Sequence, residues 1–133
     1  MAIRPPLRLL YVDDEPDLVA VVLRALKLDG AMQVRAVNSG AEALSVIVQP
    51  GERPDVVLLD VMMPDLDGPG TLERIRQITD GELPVIFFTA RARNNELVEL
   101  AQHGAIGVLT KPFDPLTLAT DIRRLYDKSQ SVK

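Results

Sequence analysis

The sequence has no cysteine and no tryptophan, a single histidine, and only two tyrosines and three phenylalanines. Without cysteine there is neither a disulfide framework nor thiolate chemistry, a pattern that fits a cytoplasmic protein. One histidine excludes a histidine-based metal centre, and His103 is expected at the surface. No apolar stretch approaches the roughly 18 residues needed to cross a bilayer. The start, Met1 to Pro6, lacks the apolar core of a signal peptide, so no membrane insertion is expected. Basic residues are not in excess: 15 Lys and Arg stand against 19 Asp and Glu, a net charge of −4. With no basic stripe to displace counterions, direct nucleic-acid binding is not expected. The densest basic pair, Arg123-Arg124, reads as a solvated helix face.

What is present is an ordinary globular composition, 47% hydrophobic and 26% charged over 133 residues. That is enough for one domain with a real core. Residues 1–133 are read as a single stand-alone domain, with a folded core of about 7–128 and short tails. Five apolar runs alternate with five helical patterns, and there are no repeats or heptads. Leu7–Val12 is the first strand, and Glu15–Leu28 the first helix, with Pro16 in its first turn and Gly30 as its stop. Gln33–Val37 is a more polar strand suited to a sheet edge. Ser39 opens the second helix with Glu42 at capping-box spacing. Asp55–Leu59, Leu83–Phe88 and Ile106–Thr110 are the remaining strands. A third helix spans about Pro69 to Ile78. A fourth runs from a cap at Asn94 or Asn95 to about His103, with Gly104 as its stop. A fifth is capped by Asp114-Pro115 and reaches about Lys128, leaving Ser129–Lys133 as a frayed tail. Such a βα string predicts an α/β fold, a flavodoxin-like three-layer sandwich around a parallel sheet of order 2-1-3-4-5.

The end of each strand carries the chemistry. Asp13 and Asp14 follow the first strand, Asp60 the third, Thr89 the fourth and Lys111 the fifth. In open α/β sheets ligands gather at the carboxyl ends of the strands, so these residues share one rim. An aspartate after a strand is most often a cap or turn residue, and Asp14 alone could cap the first helix. Five polar groups at the same end of their strands are not explained that way. Two carboxylates about 4 Å apart repel by roughly 4 kcal/mol at an effective dielectric near 20, which calls for a cation. Three carboxylates with room for water suit Mg²⁺, with Mn²⁺ as a substitute. A carboxylate so placed can attack phosphorus. Asp60 is the best nucleophile, because the adjacent Asp13-Asp14 pair is better suited to holding metal. Lys111 and Thr89 can then stabilise the phosphoryl oxygens.

The chain resembles the receiver domain of two-component response regulators from Leu7 to about Lys128. The resemblance rests on Val12-Asp13-Asp14-Glu15, on Asp60 through Gly68 (with Met62, Pro64 and Asp67 between), on Thr89-Ala90 and on Lys111-Pro112-Phe113. It implies that Asp60 is the phosphoacceptor, supplied by a phosphohistidine of a sensor histidine kinase or phosphotransfer protein. It further implies that Asp14 and Asp60 ligate Mg²⁺ directly, Asp13 through water, and Met62 through its backbone carbonyl. Thr89 becomes the switch hydroxyl and Lys111 the phosphate-binding ammonium, with a cis bond to Pro112. An unknown downstream protein would read the phosphorylated state, with the domain a monomer or weak dimer. Beyond accepting the phosphoryl group and losing it again, no enzyme activity is expected.

One position departs from that family. Receivers commonly carry Tyr or Phe three residues before the lysine, where this chain has Val108. The signal is therefore expected to leave through the backbone of 89–95 and the start of the fourth helix. Met62 is apolar and could shield an acyl phosphate, and Arg91 could face either the opening or solvent. Three other readings compete. A small-molecule phosphatase would need a general acid two residues after Asp60, where Met62 has no proton to give. A phosphate-independent scaffold would be expected to lose at least one of the five site residues. A flavin-binding flavodoxin is opposed by Asp13-Asp14-Glu15-Pro16, too acidic to cradle phosphate.

Overall fold

The computed structural model describes residues 6–90 and 93–131. Its five apolar runs pair as one parallel sheet: β1 (Leu7–Val12), β2 (Met32–Val37), β3 (Val56–Asp60), β4 (Val85–Thr89) and β5 (Gly107–Thr110). The order is β2-β1-β3-β4-β5, as the sequence pattern predicts. Between and after the strands lie α1 (Pro16–Lys27), α2 (Gly40–Ile47), α3 (Gly68–Thr79), α4 (Asn94–Ala101) and α5 (Leu118–Ser131).

Alternation along each strand divides the core in two. Leu9, Tyr11, Leu58, Ile86 and Phe88 face α1 and α5, meeting Val22, Leu26, Leu118 and Ile122. Leu10, Val12, Val57, Leu59, Val85 and Phe87 face the other way, against Ala43 and Ile47 of α2, Leu72 and Ile75 of α3, and Leu100 of α4. Every residue of β3 and β4 is buried, which is why those strands are apolar up to their last residues, Asp60 and Thr89. In β2 half-buried residues alternate with exposed Gln33 and Arg35, the pattern of an edge strand.

Helix ends hold most of the local chemistry. Ser39 caps α2, accepting the Glu42 N–H at 3.1 Å, while the Glu42 carboxylate reaches back to the N–H of Asn38 at 3.4 Å. Asp67 caps α3 through the Gly70 N–H at 2.8 Å. Elsewhere the sequence expectations need correction. Gly30 is not a left-handed stop: α1 ends at Lys27, and the N–H of Leu28, like that of Asp29, returns to the last turn. Asp29 Oδ1 then takes the Ala31 N–H, so a side chain does the work expected of the glycine. The N-cap of α4 is Arg93, not Asn94 or Asn95, and no side chain bonds there. Regular helix stops at Ala101, short of His103; the chain then tightens into i→i+3 bonds before Gly104 at φ +96. Asp114 is not the cap of α5: its carboxylate takes the Leu116 N–H at 2.9 Å within a turn formed by Pro115 to Thr117, and α5 begins only at Leu118. Residues 129–131 are helical rather than frayed. Arg123 is not solvated: its guanidinium bonds the Ala31 carbonyl and pairs with Asp29 at 3.4 Å, tying α5 to the α1–β2 turn.

The β3–α3 turn is the tightest passage next to the rim. Gly68 donates to the Val61 carbonyl at 2.9 Å, and Asp65 takes a positive φ of 67. A Cβ on Gly68 would lie 2.7 Å from both the Asp60 carbonyl oxygen and the Val61 Cα. Both are backbone atoms that cannot rotate away, so the helix start would have to shift. Gly68→Ala is expected to lower stability by about 1–3 kcal/mol, as overpacking typically does. Urea unfolding checks this; a variant within 0.5 kcal/mol of the parent would show that the turn can yield.

Candidate functional site

The register sets the rim. Val12 pairs with Leu59 and Asp60 with Phe88, while Thr89 pairs with Thr110 one step further. Asp13 leaves β1 with its N–H bonded to the Val37 carbonyl at 3.2 Å, and Lys111 leaves β5 with its N–H bonded to the Thr89 carbonyl at 2.8 Å. The structure thereby brings Asp13, Asp14 and Asp60 together, with one carboxylate oxygen from each lying within 4.8 Å of the others. Asp13 and Asp60 are buried and Asp14 is half-buried.

Lys111 spans the cluster. Its Nζ is 3.0 Å from Asp13 Oδ2 and 3.1 Å from Asp60 Oδ1, and the ammonium stands 5.1 Å from the centroid of the Phe88 ring. Burial works against the ammonium, but its bonds to the two carboxylates outweigh that and hold it above the ordinary lysine range. Asp60 moves the other way from a simple ion pair. Burial, followed by the charge of Asp13, pushes its carboxyl up to about 6; Lys111 and the Met62 N–H oppose the rise without cancelling it. Among the described residues, three carboxylates against one ammonium leave an excess of two negative charges. An all-oxygen donor set with that excess fits a hard divalent cation.

The remaining candidates are placed as follows. Thr89 is buried at the end of β4. Met62 is 59% exposed, and it is its backbone that meets Asp60. Val108 is half-buried and packs on the core face shared with Phe87. Arg91 lies outside the described residues. His103 is exposed, edge-on to Phe87 at 6.4 Å. Asp14 does not cap α1, whose N-cap is Glu15 without a side-chain bond.

Two contacts escape a reading of the sequence. Tyr11 donates its hydroxyl to Asp13 Oδ2 at 2.7 Å, and Lys111 bonds Asp13 as well as Asp60. Tyr11 stands two residues before Asp13, hence on the same side of the strand, which was the available signal. Its burial among core side chains conceals the polar end.

Comparison with known proteins agrees with the fold. The model of the response regulator receiver domain family matches residues 9–123. The transcriptional regulatory protein TrcR of Mycobacterium tuberculosis is 38% identical over 96% of this chain and 48% of its own length. Among solved structures, the receiver domain of a putative LuxO repressor from Vibrio parahaemolyticus superposes with a TM-score of 0.81 at 28% identity, over 96% of this chain and 94% of that one. The chemotaxis protein CheY4 of Vibrio cholerae gives 0.79 at 29% identity, over 90% and 98%. The chain belongs to the response regulator receiver domain family, a class of phosphoryl-accepting signalling switches. It spans about half the length of the curated relatives it matches.

The raised Asp60 value has a consequence for stability. Between the ordinary 3.8 and about 6 the folded protein holds a proton that the unfolded chain has released. Stability of the metal-free protein therefore falls as pH rises through that window. Asp60→Asn removes the charge and is expected to stabilise the metal-free protein at pH 7 by on the order of 2 kcal/mol. That gain should shrink as pH falls toward 4. Urea unfolding in EDTA at several pH values measures it; an advantage that grows on acidification would contradict the assignment.

Proposed function

We propose that residues 1–133 act as one receiver unit in which Asp60 takes a phosphoryl group from a phosphohistidine. The donor is a sensor histidine kinase or a histidine phosphotransfer protein, met in the cytoplasm. The observation that carries this reading is the ammonium of Lys111 bridging two buried carboxylates beside a third. An Asp60 oxygen bonds phosphorus as the donor P–N bond breaks, the imidazole keeping the electron pair. Lys111 turns from Asp60 toward a phosphoryl oxygen, and the Thr89 hydroxyl serves another.

Asp14 and Asp60 would hold Mg²⁺ directly, Asp13 through water and Met62 through its carbonyl oxygen. When bound, the ion supplies neutralisation of the phosphoryl charge. The same site would slowly hydrolyse its own acyl phosphate. Output goes to a protein partner by way of residues 89–95 and the start of α4, since Val108 is too short and stiff to act as a ring does. Met62, apolar and without a proton to donate, opposes a small-molecule phosphatase.

With acetyl phosphate or a phosphohistidine donor and Mg²⁺, intact mass should show one added phosphoryl group in the parent and none in Asp60→Asn. Equal labelling of the variant would overturn Asp60 as acceptor. For the metal, Asp14→Asn should abolish most of the Mg²⁺-dependent rise in melting temperature, while Asp65→Asn leaves it intact. A variant at position 14 that keeps the full rise would remove Asp14 from the ligand set.

A further inference from the structure

Asp13 is fully buried, and its oxygens are already in use without any metal. Oδ1 accepts the Glu15 N–H at 3.1 Å. Oδ2 accepts both the Tyr11 hydroxyl at 2.7 Å and Lys111 Nζ at 3.0 Å, which occupy its two lone pairs. The Tyr11 phenol is fully buried, and against a carboxylate oxygen it is the donor. Its ring is fixed edge-on to Phe88 at 6.2 Å, and Phe88 in turn lies against the Lys111 ammonium and, at 5.8 Å, Phe113.

Lys111 therefore has two carboxylates to leave or keep when it turns to a new anion. A buried carboxylate stripped of its donors holds any remaining cation more tightly, because each lost hydrogen bond leaves more charge uncompensated. We propose that Tyr11 is a positioning residue for phosphoryl acceptance: its hydroxyl keeps Asp13 satisfied so that Lys111 is released to the phosphoryl group. This rests on the receiver reading of the site.

Tyr11→Phe retains the ring and its packing and removes only the donor. With acetyl phosphate at saturating Mg²⁺, the Asp60–P bond forms as the P–O bond to acetate breaks and acetate leaves with the electron pair. The rate constant for that step is expected to fall about tenfold in Tyr11→Phe, the loss of one hydrogen bond to a charged group. Mg²⁺ affinity, measured by calorimetry, should not fall, since Asp13 loses a donor and no oxygen and is left with more uncompensated charge. An unchanged or faster rate would overturn the proposal. So would a parallel loss of rate and Mg²⁺ affinity, which would mean that Tyr11 acts through the metal.

An independent readout comes from melting temperatures in EDTA. Tyr11→Phe should lower the melting temperature by roughly 5 °C in the parent and by less than half of that in an Asp13→Asn background. Equal losses in both backgrounds would show a packing role and overturn the proposal as well. If the parent itself takes no phosphoryl group, the receiver reading fails, and the melting cycle still tests the Tyr11–Asp13 contact.

Discussion

One ammonium held between two buried carboxylates is the constraint around which the rim is organised. Asp13 and Asp60 repel each other, and burial removes the water that would screen them. Lys111 answers both at 3.0 and 3.1 Å, yet Asp60 is still pushed up to about 6, so the pairing is incomplete. The same excess of negative charge makes room for a divalent cation and makes the metal-free state sensitive to pH. A site with balanced charge would be more stable and less responsive.

The sheet exists, in this sense, to deliver that lysine. Lys111 lies 98 residues from Asp13 and 51 from Asp60 in sequence. Parallel pairing through β3 and β4 puts the ends of β1 and β5 on one rim although two strands stand between them. The fully buried β3 and β4 form the centre of the sheet, and Asp60 is the last residue of β3. Precision at Asp60 comes from the strand beneath it and from the close approach of Gly68 to its carbonyl.

Aromatic residues are few, but three of them lie together beneath the site. Tyr11, Phe88 and Phe113 form a connected set on the α1 and α5 side, with the Lys111 ammonium against Phe88. On the opposite face, where related receivers commonly place a ring, Val108 packs on the core near Phe87. The ring chemistry that touches the charged groups therefore sits on the side away from α4. That asymmetry joins the acidic cluster to the α1–α5 layer through two buried rings, Tyr11 and Phe88, and the half-buried Phe113.

Local pattern alone determined the alternation of elements, the edge position of the polar β2 and the capping of α2 by Ser39, because each depends on residues within a few positions. It also placed Asp13, Asp14, Asp60, Thr89 and Lys111 at strand ends, since the end of an apolar run is visible in the chain. Helix ends were less readable. Gly30 and Asn94 carry the residue types that usually stop and start helices, but Asp29 and Arg93 occupy the positions where the backbone turns. Arg123 looked like a surface charge because its partners, Asp29 and Ala31, are nearly a hundred residues away. The tertiary structure alone decided that Lys111 is shared by two aspartates and that the hydroxyl of a core tyrosine completes Asp13. Those facts depend on the direction of side chains across three strands, and periodicity specifies which face a residue occupies, not which neighbour its last atom reaches.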